Sequence, residues 1–192
     1  MKSISLKNYG YLDVKMPDSL LNNLRHECDT AKLKNPQMQD DLINKKYIPS
    51  HYYLEDNKKD FMNFVESVFV AYNDCFPNLG MIKAMTHDLP YCHDRPWINY
   101  QKQGEFLPNH IHNGIFSYVS FIKIPAECKF EFTFTNIIGN LDFHEIKLTS
   151  KDEGKLVFFP AKLPHAAYPF NGSDEERISI AGNILFNSEH KK

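Results

Sequence analysis

Apolar residues in the first part of the chain recur at the spacing of amphipathic helices. Residues 4–16 alternate weakly and predict one or two short strands. Pro17 and Asp18 then favour a helix start, because proline is tolerated in a first turn and a carboxylate suits the positive end of the helix dipole. We expect one helix over residues 18–34 and a second over residues 57–75. Their apolar stripes consist of Leu20, Leu21, Leu24, Cys28, Phe61, Phe64, Val65, Val68 and Phe69.

The pattern changes from about residue 96, where polar and apolar residues alternate with the period of a β-strand. Phe130, Phe132 and Phe134 alternate with polar residues, which is typical of a strand with one buried and one wet face. Turn residues separate this segment from others of the same kind. The predicted strands cover residues 97–102, 115–124, 130–135, 143–148, 155–159, 165–169 and 177–186.

Two helices followed by a series of strands predict a mainly β member of the α+β class. The expected architecture is a jelly roll, the cupin-like double-stranded β-helix, with the N-terminal helices packed on one sheet. The 15 Phe and 10 Tyr residues suit a sheet-rich core. No linker divides the 192 residues, so we expect one domain over 1–192, with a strand and helices in 1–90 and the β-helix core in 91–192.

Charge and cysteine content disfavour several classes of protein. The formal net charge is −2 and the basic residues are scattered, so nothing favours nucleic acid or an anionic membrane as a partner. Cys28, Cys75, Cys92 and Cys128 show no CxxC spacing, which disfavours a zinc knuckle or a dithiol redox motif. No segment resembles a signal peptide or reaches the length of a membrane span. We therefore expect a cytoplasmic protein.

Three histidines form a candidate metal site. His110 and His112 are two residues apart, so in a strand both imidazoles project to the same face and can chelate one metal ion. His165 follows an apolar strand and a turn with a proline at each edge, which can present it at the mouth of a barrel. Ordinary interpretations stay open, because the chain has nine histidines and His165 can be a simple turn residue.

Arg177 and Ser179 form a candidate anion site. Their spacing places a guanidinium and a hydroxyl on one face of a strand, with Ile178 and Ile180 on the other face. A buried arginine requires an anion, and a dicarboxylate would provide one. The alternative is a surface position, where Arg177 pairs with the acids of residues 174–176 and contributes little.

Further motifs accompany these residues in a fixed order along the last half of the chain. They are WINY at 97–100, GEFLPNHIHNG at 104–114 with Ser117, GKLVFFP at 154–160, His165, and RISIAGN at 177–183. As a set, these motifs resemble the 2-oxoglutarate/iron(II) oxygenase superfamily, specifically its prolyl-4-hydroxylase-like and small bacterial or phage-encoded members. The first 90 residues carry no part of the resemblance.

The resemblance implies an iron(II) ion held by His110, His112 and His165, with Arg177 and Ser179 on the distal carboxylate of 2-oxoglutarate. In the superfamily the first motif is usually HxD or HxE, so His112 stands where a carboxylate is usual. A neutral ligand there should weaken divalent metal binding. The resemblance also places other candidate residues around the co-substrate or the primary substrate: Asn99, Tyr100, Ser117, Tyr118 and Asn183.

The leading hypothesis is therefore a non-haem iron(II), 2-oxoglutarate-dependent dioxygenase. It would use dioxygen to hydroxylate a peptidyl or small-molecule substrate and convert 2-oxoglutarate to succinate. Two alternatives stay open: a three-histidine, cupin-type metalloenzyme without 2-oxoglutarate, and a non-catalytic jelly-roll binding module. No motif identifies the primary substrate. We expect loops at residues 35–57 and 86–96 to set specificity, the second with His87, Asp88, His93 and Asp94 in a loop that covers the substrate.

Overall fold

The computed structural model describes residues 10–38, 48–76, 91–136 and 138–186. Two α-helices, eleven strands and a short 3-10 helix (Ser150–Asp152) make up the elements of these ranges. In chain order the α-helices and strands are β1 (Leu12–Lys15), α1 (Asp18–Lys34), β2 (Ser50–Tyr53), α2 (Lys58–Cys75), β3 (Tyr91–His93), β4 (Trp97–Gln101), β5 (Leu107–His110), β6 (Phe116–Lys123), β7 (Cys128–Thr135), β8 (Leu141–Leu148), β9 (Lys155–Pro160), β10 (His165–Ala167) and β11 (Arg177–Phe186). Within the described ranges, neither helix has the length and apolar character needed to cross a bilayer.

The strands form two antiparallel sheets. The larger sheet has the order β1-β9-β6-β11-β4-β2, and β3 pairs with the end of β11. The smaller sheet has the order β5-β10-β7-β8. Strands from distant parts of the chain are neighbours in both sheets, as in a double-stranded β-helix. The predicted fold class, a mainly β jelly roll with N-terminal helices, is confirmed. That all 192 residues form one domain stays a prediction.

Both helices pack on one face of the larger sheet. Leu24 of α1 and Phe61 and Val65 of α2 are fully buried in one cluster with Phe158 of β9 and Ile180 of β11. Each buried apolar side chain of this size contributes about 1.5–3 kcal/mol relative to exposure. The apolar stripes of the two predicted helices are therefore the surfaces that bind them to the sheet.

A second apolar cluster fills the space between the sheets. It contains Phe121 of β6, Phe130 and Phe132 of β7, and Phe159 of β9. The predicted apolar face of β7 is confirmed, because Phe130 and Phe132 lie in this cluster. The predicted wet face is wrong, because Glu131 and Thr133 are buried (6% and 7% exposed) and Thr135 alone of the three alternating polar residues is exposed.

Strand β11 has one face on each cluster. Ile178 and Ile180 belong to the cluster under the helices. Successive side chains of a strand point to opposite sides, so Arg177 and Ser179 face the space between the sheets. Both are buried, and Ser179 pairs in register with Phe121 of the inter-sheet cluster. The sheet thus places a guanidinium and a hydroxyl beside the aromatic side chains of the inter-sheet cluster.

A buried carboxylate joins the two helices. Glu27 of α1 is 2% exposed and accepts hydrogen bonds from the backbone N–H groups of Glu55 (2.6 Å), Asp56 (3.0 Å) and Asn57 (2.8 Å). The side-chain amides of Asn35 and Asn57 donate to it as well. These N–H groups lie at the start of α2, where a helix lacks internal acceptors and favours negative charge. Burial raises the pKa of Glu27, but the hydrogen bonds outweigh it and the net pKa is lowered.

We expect Glu27→Gln to lower the free energy of unfolding by about 2–4 kcal/mol at pH 7, because the amide removes the charge and an acceptor. A lowered folded-state pKa gives stability that is present above the unfolded pKa, about 4.3, and is lost as the pH falls through the folded value. The difference between wild type and variant should therefore shrink below about pH 4. Urea denaturation of wild type and variant at pH 7 and below pH 4 measures this difference in the free energy of unfolding. Asp29→Asn, at an exposed position of α1, is the control and should change stability by less than about 0.5 kcal/mol.

Three short strands differ from the sequence prediction. The expected loops at 35–57 and 86–96 contain β2 and β3, so the prediction is wrong there, while residues 39–47 and 86–90 lie outside the described ranges. Both strands have three or four residues and little alternation, and they form because they pair with β4 and β11. β5 was likewise missed. In the weakly alternating segment 4–16, β1 confirms one strand, and residues 4–9 are not described.

The predicted cluster of acids and histidines does not form as expected. His87 and Asp88 lie outside the described residues. His93 belongs to β3 instead of a loop, and its Nε2 lies 2.7 Å from the Glu66 carboxylate of α2. Asp94 accepts a hydrogen bond from the side chain of Asn183 at 3.4 Å. His93 therefore anchors an edge strand to a helix.

Candidate metal and co-substrate site

Three imidazoles converge at one end of the space between the sheets. His110 ends β5 and pairs across the ladder with His165 of β10. His112 lies in the turn beyond β5, where its N–H donates to the carbonyl of Ala161 at 2.9 Å. The candidate ligand nitrogens all lie within 4.8 Å of one another. The Nε2 atoms of His112 and His165 are 3.2 Å apart. A separation of about 3 Å follows for two nitrogens bound at right angles to one ion, given metal–nitrogen bonds of about 2.1 Å.

The backbone fixes the proton positions of two imidazoles. The Nδ1 of His110 lies 2.7 Å from the carbonyl of Pro108, and the Nδ1 of His165 lies 2.9 Å from the carbonyl of Leu163. A ring nitrogen that bonds to a carbonyl must carry the proton, so the Nε2 lone pairs of both rings are available to a metal. This second hydrogen bond is the arrangement that orients metal-binding histidines.

Burial keeps the two inner imidazoles neutral. Desolvation, with the nearby His110, lowers the pKa of His165 to about 3 and that of His112 to about 4. Phe159 and Phe130 surround His165, with ring centroids 4.7 and 5.6 Å from the imidazole. Since only the neutral imidazole can bind a metal ion, both rings are in the binding form at neutral pH.

Arg177 supplies a positive charge in the same interior. Its side chain is buried (3% exposed), and Nη2 donates to Oε1 of Gln101 while Nη1 lies 3.5 Å from the carbonyl of Tyr168. Both acceptors are uncharged. The neighbouring acids bind lysines instead: Glu175 pairs with Lys123 and Glu176 with Lys32. Among the described residues, no carboxylate pairs with Arg177, so the surface-pairing interpretation is wrong.

The histidines and Arg177 are connected through the strand that carries His165. Tyr168, whose carbonyl accepts from Arg177, follows His165 by three residues, and its N–H continues the ladder to Lys129 at 3.1 Å. Three residues of extended chain span roughly 10 Å. A five-carbon dicarboxylate that chelates a metal at one end is long enough to reach a guanidinium at such a distance.

Hydrogen-bonded polar groups line the larger sheet between these two ends. The Asn99 amide donates to Oγ of Ser179 at 3.2 Å and accepts from the indole N–H of Trp97 at 3.1 Å. The Trp97 ring lies 6.3 Å from the imidazole of His112, measured between centroids. Hydrogen bonds through Asn99 thus link Ser179, on the strand of Arg177, to Trp97, the neighbour of His112.

Comparison with known protein families identifies a family with which this part of the chain shares sequence similarity. Residues 95–183 match a family model described as "Putative 2OG-Fe(II) oxygenase". The match begins just before β4, extends into β11, and includes the three histidines and Arg177. Residues 95–183 are therefore similar to 2-oxoglutarate/iron(II) oxygenases. The family resemblance predicted from the sequence motifs is confirmed. No curated protein matches this chain in sequence.

Solved structures share the fold of this chain at low sequence identity. A prolyl-4-hydroxylase from Pseudomonas putida superposes with a TM-score of 0.64 at 15% identity, covering 93% of this chain and 94% of its own. A prolyl hydroxylase from Trichoplax adhaerens, in complex with a hypoxia inducible factor peptide fragment, has a TM-score of 0.61 at 12% identity, covering 94% of this chain and 84% of its own. HygX from Streptomyces hygroscopicus, with nickel, 2-oxoglutarate and hygromycin B bound, has a TM-score of 0.57 at 9% identity, covering 92% of this chain and 83% of its own.

Two tyrosines predicted to lie near the co-substrate lie elsewhere. Tyr100 is buried under the helices, and its hydroxyl donates to the carbonyl of Cys28 in α1 at 2.6 Å. Tyr118 packs on Phe61 of α2. Both predictions are wrong, because each tyrosine occupies the face of its strand that points away from the space between the sheets.

The other predicted polar residues lie on the inner face. Asn99 is beside Ser179, as described above. Ser117 of β6 donates to Oδ1 of Asn183 at 2.8 Å, on strands that pair in register. This pair lies near the turn that carries His112, because a Cβ added to Gly114 would stand 3.3 Å from the Cβ of Asn183. The functional roles of these residues stay predictions.

Two residues that sequence reasoning missed stand beside the predicted ones. Gln101 binds Arg177, and Trp97 is the neighbour of His112. Trp97, Asn99 and Gln101 share one face of β4 by alternation, whereas Tyr100 faces the helices. Strand alternation therefore predicts that Trp97 and Gln101 lie on the inner face with Asn99, and that Tyr100 does not.

Proposed function

We propose that this protein is an iron(II)- and 2-oxoglutarate-dependent dioxygenase that hydroxylates a peptidyl or small-molecule substrate. One observation carries the proposal: three convergent imidazoles occupy the same space between the sheets as a buried guanidinium, which pairs with no carboxylate among the described residues. A structural metal site would use the imidazoles but would have no role for the arginine.

The donor set fits iron(II). His110, His112 and His165 would hold the ion through their Nε2 atoms, and two of the three Nδ1 protons are already bound by backbone carbonyls. With three protein nitrogens as ligands, the ion would still be able to bind a 2-oxo acid and dioxygen. Iron(II) would activate dioxygen, which is the oxidant: one oxygen atom would enter succinate as 2-oxoglutarate loses CO₂, and the other would hydroxylate the substrate.

The chain binds and orients the co-substrate. Arg177 would donate to the distal carboxylate of 2-oxoglutarate, and Ser179 lies on the same face of β11 two residues away. A buried guanidinium is costly without a counter-charge, so a dianion with a carboxylate at this position is favoured over a neutral ligand. The phenylalanines around His165 exclude water from the metal side of the site.

Turnover of 2-oxoglutarate tests this function. Purified protein with iron(II), ascorbate and 2-oxoglutarate under air should form succinate, and a candidate substrate should accelerate this reaction. Removal of iron by a chelator should reduce succinate formation to background, and added iron(II) should restore it. Protein that binds iron stoichiometrically but consumes no 2-oxoglutarate with any peptide or small molecule supplied would contradict the proposal.

One feature favours a second candidate function. His112 is a neutral ligand at a position where the superfamily usually has a carboxylate, which is compatible with a three-histidine metalloenzyme that does not use 2-oxoglutarate. Oxygen uptake without succinate would select this alternative. A non-catalytic binding module would instead lose thermal stability on metal removal and show no turnover of either kind.

The substrate class rests on the fold relatives. Structures with the same fold contain a peptide fragment in one case and hygromycin B in another. Both peptidyl and small-molecule substrates are therefore compatible with the scaffold. The cytoplasmic location stays a prediction.

A further inference from the structure

Gln101 is the residue that contacts Arg177 most directly. It lies on β4 opposite Arg177 in register, and it is 2% exposed. Its Nε2 donates to the carbonyls of Glu105 and Tyr168, the second at 3.1 Å. Its Oε1 accepts from Nη2 of Arg177. The amide is thus bonded at both ends in a buried position.

These contacts allow one orientation of the amide. Only the NH₂ group can serve the two carbonyls, so the Oε1 atom must point to the guanidinium. A rotated amide would direct its oxygen at two carbonyl oxygens and its NH₂ at a cation. Gln101 therefore fixes one edge of the guanidinium through a bond whose direction is set by the backbone.

The contact with Gln101 leaves N–H donors and the positive charge of Arg177 available to a ligand. Two of the five N–H donors of Arg177 are used by Gln101 and Tyr168, and three remain for a ligand. Because Gln101 is uncharged, it orients the guanidinium without neutralising it. A glutamate of the same shape would form an internal ion pair and compete with any incoming carboxylate.

We propose that Gln101 is a positioning residue for the binding of the distal carboxylate of the co-substrate. Gln101 orients the Arg177 guanidinium and, because it is an uncharged acceptor, leaves the positive charge of Arg177 to interact with the dicarboxylate. This inference rests on the proposed function. It adds a requirement for co-substrate binding: residue 101 must be uncharged, in addition to making its hydrogen bonds.

Two substitutions separate this role from a structural one. Gln101→Glu keeps the shape and the acceptor that faces Arg177 but adds a charge, whereas Gln101→Leu keeps the approximate volume and has no polar group. If an uncharged residue 101 leaves the charge of Arg177 to the dicarboxylate, we expect the Kd of 2-oxoglutarate to rise at least about 100-fold in Gln101→Glu and about 10-fold in Gln101→Leu. Both variants leave the carbonyls of Glu105 and Tyr168 without a donor, so a purely structural amide predicts equal losses in the two variants.

The measurement uses the full chain loaded with Mn(II) and titrated with 2-oxoglutarate by calorimetry. The affinity for Mn(II) alone should change less than about threefold in both variants, because Gln101 does not contact the histidines. In turnover, the KM for 2-oxoglutarate should rise while kcat at saturating co-substrate is retained. Gln103→Glu adds the same charge at an exposed position two residues away and is the matched control, with a Kd change below about threefold.

The outcomes distinguish the inference from the function on which it rests. Wild-type protein that binds Mn(II) but not 2-oxoglutarate overturns the proposed function. If Arg177→Ala loses 2-oxoglutarate binding while Gln101→Glu binds it within threefold of wild type, or at least as tightly as Gln101→Leu does, only the role of Gln101 is overturned. If thermal melting shows that Gln101→Glu does not fold, Gln101→Leu decides: a loss of about fivefold or more supports positioning, and an unchanged Kd overturns it.

Discussion

Replacement of His165 by alanine is expected to abolish stoichiometric iron(II) binding. His165 is the most deeply buried of the three imidazoles, and its backbone hydrogen bond orients Nε2 toward His112. Loss of an outer partner of a metal ligand costs about 10- to 100-fold in affinity, so loss of the ligand itself should cost at least about 100-fold. The single tryptophan, Trp97, lies beside His112 and reports binding, because a paramagnetic metal ion at this distance quenches its fluorescence.

His144→Ala is the matched control for this variant. His144 lies in the same row of the smaller sheet, two strands from His165, and its Nε2 bonds to the hydroxyl of Tyr11 at 2.9 Å. It is exposed and outside the three-histidine cluster, so its loss should leave iron affinity within about threefold of wild type. Wild-type quenching in His165→Ala, or equal losses in both variants, would contradict the assignment of the metal site.

Replacement of Arg177 by alanine is expected to weaken 2-oxoglutarate binding by about 100-fold or more. Charge-assisted hydrogen bonds contribute about 1.5–3 kcal/mol each, and two of them to one carboxylate correspond to about 3–6 kcal/mol. Iron(II) affinity should change little, because the guanidinium contacts Gln101 and Tyr168 and none of the histidines. Separate titrations of the apoprotein with metal and of the metal-loaded protein with 2-oxoglutarate measure the two affinities.

Arg95→Ala tests whether the effect is specific to the buried position. Arg95 is half-exposed and pairs with Glu55, so its loss removes the same charge from the surface. We expect less than a threefold change in the affinity for 2-oxoglutarate, since exposed charges are screened. An Arg177→Ala variant that binds 2-oxoglutarate as the Arg95→Ala variant does would show that the guanidinium has no part in the site.

The helices and longer strands were predictable from the sequence because their burial is local and periodic. The stripe of α1 and the apolar face of β7 follow directly from which residues meet the core. The strands β2, β3 and β5 have three or four residues, and they form through pairing with strands distant in the sequence. The cap that Glu27 provides for α2 also joins residues 27 and 57, a contact that no local pattern encodes.

The histidine cluster was predicted for a partly wrong reason. Strand alternation was expected to align His110 and His112, but β5 ends at His110, and a backbone bond to Ala161 sets the position of His112. Tyr100 was grouped with Asn99 by motif, although adjacent strand residues face opposite sides. Gln101 was missed because its significance depends on Arg177, which lies 76 positions away in sequence.

The central claim is that the three imidazoles and Arg177 form one site for iron(II) and 2-oxoglutarate. Anaerobic titration of the iron(II)-loaded protein with 2-oxoglutarate tests it most directly, because a 2-oxo acid that chelates iron(II) gives a visible charge-transfer band. We expect the band to saturate at one 2-oxoglutarate per iron, to be absent in His165→Ala, and to require far higher 2-oxoglutarate in Arg177→Ala. Iron-loaded protein that develops no band at saturating 2-oxoglutarate, or an unchanged titration in Arg177→Ala, would contradict the claim.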